Sequence, residues 1–526
     1  MIMVSMRTLI FAICPPILRA PLRRLEASPL AYRLARGTFW TMSGAVIIRS
    51  SGLAASILVA RILGREGFGR LGIIQSTVAI FQVFAGFGLG LTATKYVSEF
   101  RIRDPQRAGR IIGFSHLVAT VAGSAMSILL FLASGWLARR SLAAPELAPI
   151  LRIAAPMLLL SSINGSQIGA LSGFEAFKDI ARVDLIAGIA TFPLMVVGTF
   201  AAGLAGATGA LVTTTLVNCA LSHYFLRIRA HQHRVPVTYS GPHDWGLLWR
   251  FTVPALISGI MGPPVIWMGN ALLVNRSGGY AAMGLFNAGS QWQAVLMFVP
   301  SLMMQAVLPI MSSAHADGVT TSDFQRTLGM TQSAMVAMAF PLATIFMFSS
   351  GLIMRFYGRG FQNGESVLIG VVASGLIQCI GAATGPAIQA RGMMWTALLI
   401  NGSWGLTYLV FVYLTVARLG ANSLAYGAAV SYLILTLWGF LYLDRKLPLP
   451  RGTLKRVFLS VGFVPILVAV ALICPPHLRL LLVVPATVLA TIVAVKALAD
   501  RDLIRALVSP LPTESTPQIP SLGVSS

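Results

Sequence analysis

Fourteen apolar stretches of close to twenty residues divide this chain, and only short polar segments separate them. A helix of about 20 residues, rising about 1.5 Å per residue, crosses about 30 Å of hydrocarbon. The stretches fall at approximately 38–60, 71–94, 111–135, 149–173, 183–203, 207–227, 249–274, 281–311, 327–350, 366–390, 395–417, 422–443, 457–475 and 479–498. None of the intervening segments is long enough to fold as a domain, so the function must reside among the helices. The pattern predicts an all-α polytopic membrane protein of about 14 transmembrane helices. Composition agrees: 10% of the residues are charged and 56% hydrophobic, whereas a soluble chain carries about a quarter charged residues.

Residues 1–37 read as a cytoplasmic lead. Their apolar run is broken by Pro15 and Pro16, lacks a small-residue cleavage site and is followed by Arg19, Arg23, Arg24, Arg33 and Arg36. Residues 499–526, rich in Pro and Ser, read as a disordered cytoplasmic tail. Between these ends the sequence repeats itself. GSQIGALSG, with Gly165, Gly169 and Gly173, returns as GAATG, with Gly381 and Gly385, 216 residues later. LVAR ending at Arg61, followed by Gly64, returns as LVNR ending at Arg276, followed by Gly278, at an offset of 215. Close packing of small residues explains each glycine singly, but not the shared offset. The offset predicts two six-helix bundles, 38–228 and 249–443, joined by a cytoplasmic loop at 229–248, with helices 13 and 14 appended at 457–498. Six is even, so the halves run the same way through the membrane. That implies a pseudo-twofold axis along the membrane normal and a cavity between the bundles.

The formal charge is +23, and 34 of the 39 basic residues are arginine. In a polytopic chain this reads as the positive-inside bias, not as a nucleic-acid surface. With the N-terminus inside, 27 Lys and Arg fall on cytoplasmic segments and 11 on outer ones. Both termini are therefore predicted to be cytoplasmic. Cys14, Cys219, Cys379 and Cys474 stand singly, without metal-ligand spacing, and read as packing residues. No GxxxxGK[ST], HExxH or GxSxG pattern is present, and His231 and His233 read as a solvated loop. The sequence thus implies neither enzyme chemistry, cofactor nor metal.

Polar side chains within spans are the remaining candidates, because they should face a bundle interior or a wet cavity. Arg49, mid-span among Ile47, Ile48 and Leu53, needs a buried partner, an aqueous cavity or an anionic ligand. Lys95 can line a cavity or snorkel to headgroups. Arg61 and Arg276, at matching outer span ends, suit a gate or the charge of a departing cargo, and snorkelling also accounts for them. Asn287 and Gln291 share a helix face, and with Trp292 and Gln305 they suit sugar hydroxyls and sugar faces or else interhelical hydrogen bonds. Asp184 reads as a buried carboxylate paired with Arg182 or Lys178. His116 and His223 can titrate and couple transport to an ion, or serve as hydrogen-bonded structural groups. Arginine without span acids favours an anionic cargo over a cationic drug.

The opening GTFWTMSGAVIIRSSGLAASILVARILGREGFGRLGIIQS ends its first span in an A-R-x-L-G element, then a short outer turn holding Phe68 and Gly69. Together with GALSGFEAFKDIARVD, it resembles the polysaccharide flippases (O-antigen and exopolysaccharide branch) of the multidrug/oligosaccharidyl-lipid/polysaccharide exporter superfamily. The resemblance implies a protein of the bacterial inner membrane. Its activity would be transfer of a polyprenyl-pyrophosphate-linked oligosaccharide from the cytoplasmic to the periplasmic leaflet by alternating access. It implies Arg49 as a lumen cation for the pyrophosphate, membrane lipids as surroundings, and a polysaccharide polymerase and glycosyltransferases as partners. The coupling ion, H+ or Na+, stays open. So do two related readings, a multidrug or organic-cation antiporter and a lipid II flippase.

Overall fold

The computed structural model describes residues 29–86, 89–238, 261–298, 300–301, 303, 321–390, 393–446 and 453–498. The first helix, α1 (Pro29–Gly86), has 58 residues, about 87 Å if straight and far more than one crossing needs. Gly64 breaks it, at φ 70° and ψ 178°. A side chain there would meet Cβ strain, which glycine avoids. Residues on the two limbs, Ser56 and Phe68, both touch Tyr357 although twelve residues apart, so the limbs bend toward each other. The predicted outer turn is thus shorter than the sequence suggested. Phe68 and Gly69 belong to helix, because Phe68 buries its ring and Gly64 alone supplies the break.

The same device recurs in α6. In chain order come α2 (Leu89–Arg103), α3 (Pro105–Trp136), α4 (Ala148–Ala154), α5 (Pro156–Gly173) and α6 (Phe177–Gln232). The 56 residues of α6 break at Ala202 and Gly203. A Cβ on Gly206 would fall 1.7 Å from the carbonyl oxygen of Gly198, a contact that eight residues of straight helix could not make, so the limbs fold back on each other.

The later helices are α7 (Gly262–Val274), α8 (Gly279–Leu296), α9 (Thr321–Phe348), α10 (Ser350–Phe356), α11 (Glu365–Gly381), α12 (Thr384–Ala390), α13 (Met394–Leu419), α14 (Ala421–Lys446), α15 (Thr453–Ile473) and α16 (Pro476–Leu498). Among the described residues nine helical stretches are long and apolar enough to cross a membrane, and two of these are the broken double-length ones. The chain is an all-helical, multi-pass membrane protein. Helix starts at Pro29, inside the predicted lead, where proline suits a first helical position. Gln305, residues 1–28, residues 239–248 of the predicted loop and the 499–526 tail lie outside the described residues.

Contacts divide the chain into two compact units. The first comprises Met1–Val295, Gly351–Val371 and Asn401–Ser431, so it unites the first sequence half with parts of the second. Its core joins Ile73, Ile74 and Val78 of α1 to Leu147 and Leu151 and to Tyr408, Val412 and Leu424 of the second half. The other unit comprises Leu296–Ser350, Val372–Ile400 and Tyr432–Ser526. Within it α16 and α15 pack on α9, Phe340 meets Phe463 at 6.0 Å, and the buried Arg479 bonds Ser350 and the Cys474 carbonyl. The glycine-rich marker is a packing site in both of its copies: Gly169 abuts the Gly90 backbone, and Gly381 abuts Thr436.

Candidate functional site: a seal between the sequence halves

The two halves close on each other around Gly64, at the end of the first unit away from the N-terminus of α1. Phe68 comes from the second limb of α1, Tyr357 and Phe361 from the YGRGF segment between α10 and α11. Their ring centroids lie 6.1, 6.2 and 5.6 Å apart, and all three rings are buried. The Tyr357 hydroxyl meets the side chains of Ser56 and Trp292. Asn287 donates from Nδ2 to the carbonyl oxygen of Phe68 at 3.3 Å. Arg61 donates from Nε to the carbonyl oxygen of Phe356 at 2.6 Å.

Small residues let the backbones approach. A Cβ on Gly69 would stand 1.9 Å from the Tyr280 carbonyl oxygen, and one on Gly284 would stand 2.0 Å from that of Arg65. The 69–72 turn of α1 therefore packs directly on α8, with Gly72 against Asn287.

A polar rim surrounds the aromatic centre. Arg70 pairs with Glu66 at 2.8 Å and Glu146 at 3.2 Å, and its guanidinium lies 5.6 Å from the Tyr280 ring centroid. Tyr280 donates its hydroxyl to the Leu142 carbonyl at 2.6 Å, and Asn275 donates to that of Ser141 at 2.7 Å. These bonds pin the 137–147 connection of the first half to the α7–α8 corner of the second. Deeper in, Trp267 of α7 donates to Thr77 at 3.0 Å.

Of the sequence candidates, Arg61, Asn287 and Trp292 converge on this seal. Gln291 is half-buried on α8, and Arg276 is exposed at the α7–α8 turn. Arg49 is exposed and lies seven residues before Ser56, almost two full turns, so it shares the stripe of α1 that meets Tyr357. It hangs about 10 Å further from the seal along that stripe. Lys95 is exposed at the other end of the first half, 5.0 Å above the Tyr96 ring. His116 and His223 come together in a crevice of α3, α5 and α6.

The predicted Asp184 pair is corrected. Arg182 bonds Asp179 at 3.0 Å, and Arg229 bonds the same carboxylate, which is 1% exposed. Arg182 lies three residues after Asp179, one helix turn on, which brings their side chains onto one face; Asp184, only two residues from Arg182, does not share it. Nearby, Arg101 pairs with Glu175 and donates to the Gly173 carbonyl at 3.0 Å.

Helices long and apolar enough to cross a membrane, with an aromatic seal joining early and late segments of the chain at one end of the first unit, suit a membrane transporter. The chain belongs to the polysaccharide biosynthesis protein family, whose model matches residues 34–315, more than half of its length. Such proteins move their substrates and do not transform them, so this chain is a transporter and not an enzyme. It is 21% identical over 394 residues to the EPS I polysaccharide export inner membrane protein EpsE of Ralstonia solanacearum, covering 74% of this chain and 88% of that one. It is 22% identical over 386 residues to the lipid III flippase of Escherichia coli (strain K12), covering 70% and 91%. In fold it matches an inward-facing multidrug resistance MATE family transporter of the MOP superfamily, with a TM-score of 0.66 at 16% identity over 78% of this chain and 98% of that one.

Proposed function

We propose that this protein is an inner-membrane flippase that carries polyprenyl-pyrophosphate-linked oligosaccharide from the cytoplasmic to the periplasmic leaflet by alternating access of its two halves. The single observation that carries this reading is Arg49, an exposed guanidinium on the α1 stripe that meets Tyr357 at the seal. An arginine in that position offers a fixed fork of donors to a diphosphate. In this reading the seal is the periplasmic gate in its closed state, both termini are cytoplasmic, and the prenyl tail stays in lipid.

Energetics support a gate of this kind. Opening would expose Phe68, Tyr357 and Phe361 to water at about 2 kcal/mol each. The closed state is then favoured until a cargo with differential affinity for the open state supplies several kcal/mol. Surface glycan in cells carrying Arg49→Ala tests the proposal. Export is expected to be lost while the protein remains inserted and abundant, and Arg49→Lys is expected to retain part of it. Normal export by Arg49→Ala would remove the pyrophosphate role.

A further inference from the structure

A groove in the first unit takes no part in the seal. α3 and α6 both pack on α5 but scarcely on each other, so a channel runs between them with α5 as its floor. Two cavities make up its length, and His116 and His223 line both. One, of about 300 Å³, runs to Arg227, His231 and Val237 at the end of α6 away from the seal. The other, of about 540 Å³, continues past Ile163 of α5, between Thr120 of α3 and Leu216 of α6. On α6 the lining residues Leu216, Ala220, His223, Arg227 and His231 stand three or four apart, which is one stripe of a helix.

The two ends of the groove differ in chemistry. Arg227 makes no ion pair or hydrogen bond among the described residues, whereas Arg229, two residues on, is held by Asp179 and Gln232. His231 adds an imidazole N–H one turn further along the stripe. No carboxylate lines either cavity among the described residues, and no Lys or Arg lines the larger one, where Leu117 and Leu216 are exposed. The basic end is also built: a Cβ on Gly109 of α3 would stand 1.8 Å from the Pro236 carbonyl oxygen, so the segment after α6 crosses onto α3 there and closes it. Leu216 and Arg227 are eleven residues apart, about 16 Å of helix, close to half of the roughly 30 Å of hydrocarbon in a bilayer. The groove is thus one leaflet deep, cationic at its head and apolar below.

We infer that this groove binds one anionic phospholipid of the surrounding membrane, with its phosphate at Arg227 and His231 and an acyl chain laid past Leu216. The phosphate oxygens accept from the guanidinium and the imidazole, and the chain covers apolar lining that α3 and α6 leave open. A lone guanidinium matches the single charge of a phosphodiester, whereas a diphosphate would keep most of its charge unanswered. Snorkelling lets an arginine reach any headgroup, but it does not place a leaflet-deep groove beneath that arginine. The inference needs the chain to span a membrane and is independent of the flippase reading.

The full chain in phosphatidylcholine nanodiscs, doped with phosphatidylglycerol that carries a mid-chain diazirine, tests the site. Photolysis is expected to attach the lipid chiefly to residues 117–120 and 216–223, and unlabelled phosphatidylglycerol is expected to displace it. Arg227→Gln should weaken this attachment about tenfold, the worth of one charge-assisted hydrogen bond, and Arg227→Lys should keep part of it. Ala220→Trp, which fills the apolar end, should abolish it with the headgroup residues intact. Attachment spread evenly over exposed residues elsewhere, such as Ile189 and Ile466, or unmoved by Arg227→Gln and Ala220→Trp, would reduce the groove to ordinary lipid contact and overturn the site. Displacement by a polyprenyl diphosphate and not by phosphatidylglycerol would overturn the phospholipid assignment in favour of a cargo headgroup.

Discussion

Arg61 and Phe356 lie 295 residues apart in sequence, yet the Arg61 guanidinium donates to the Phe356 carbonyl at 2.6 Å. This bond joins the two halves at the rim of the aromatic seal, where opening must break it. A charge-assisted hydrogen bond of this sort contributes about 1.5 kcal/mol, so its loss should raise the open population about tenfold. A cysteine placed at Ser56, behind the seal, in a chain with Cys14, Cys219, Cys379 and Cys474 replaced by serine, reports this. Its labelling by a membrane-impermeant maleimide from the seal side is expected to rise severalfold when Arg61→Ala is added, and an unchanged rate would deny Arg61 a gating role.

The glycines of the seal make a sharper demand. Valine at position 69 would drive its Cβ into the Tyr280 carbonyl, and valine at 284 into that of Arg65, and backbone cannot yield as a flexible side chain can. Gly69→Val and Gly284→Val are expected to hold the seal open, giving high Ser56→Cys labelling and no net export. A valine at Gly209, which faces open space, should change neither. Closed-state labelling in Gly284→Val would mean that the halves part without separating α1 from α8.

Hydropathy made the architecture legible, because each crossing needs a long apolar run whatever its neighbours. Matching arginines at span ends marked Arg61 as a gate candidate before its partner was visible. What the sequence hid was long-range. Tyr357 and Phe361 sit in a short Gly- and Arg-containing connection that reads as a loop, and only packing against Phe68 makes them the centre of the seal. Phe68 itself looked like a turn residue because glycines flank it, yet Gly64 alone supplies the break and the helix resumes at once. Asp184 drew attention over Asp179 because both lie near Arg182, and the second arginine on Asp179 comes from position 229.

That buried carboxylate gives an asymmetric prediction. Asp179 is 1% exposed and meets Arg229, one-third exposed, and Arg182, largely exposed. Removing the acid takes the shared partner from both bases, and removing the better buried base leaves the buried carboxylate only the largely exposed Arg182, each at a cost of about 3 kcal/mol. Removing the exposed base costs less than about 1 kcal/mol. Asp179→Asn and Arg229→Gln are therefore expected to lower the thermal unfolding midpoint by several degrees, and Arg182→Gln to leave it nearly unchanged. Equal losses in all three would show that the pairs share the load.

The last prediction concerns pH. His233 caps α6 just outside the membrane-spanning segment and stacks on Phe174 with centroids 5.2 Å apart. Partial burial, then the nearby Arg101 and Arg229 charges, hold its imidazole below its ordinary value of 6.5, against a smaller opposing pull from Glu175. The unfolded chain therefore takes up this proton at higher pH than the folded one. Stability linked to His233 is full above about 6.5 and falls as the pH drops from there through the lower folded value. His233→Phe keeps a ring for Phe174 but removes the proton. Between pH 7.5 and 5.5 its unfolding midpoint is expected to fall less than that of the native chain, and parallel falls would place the acid sensitivity elsewhere.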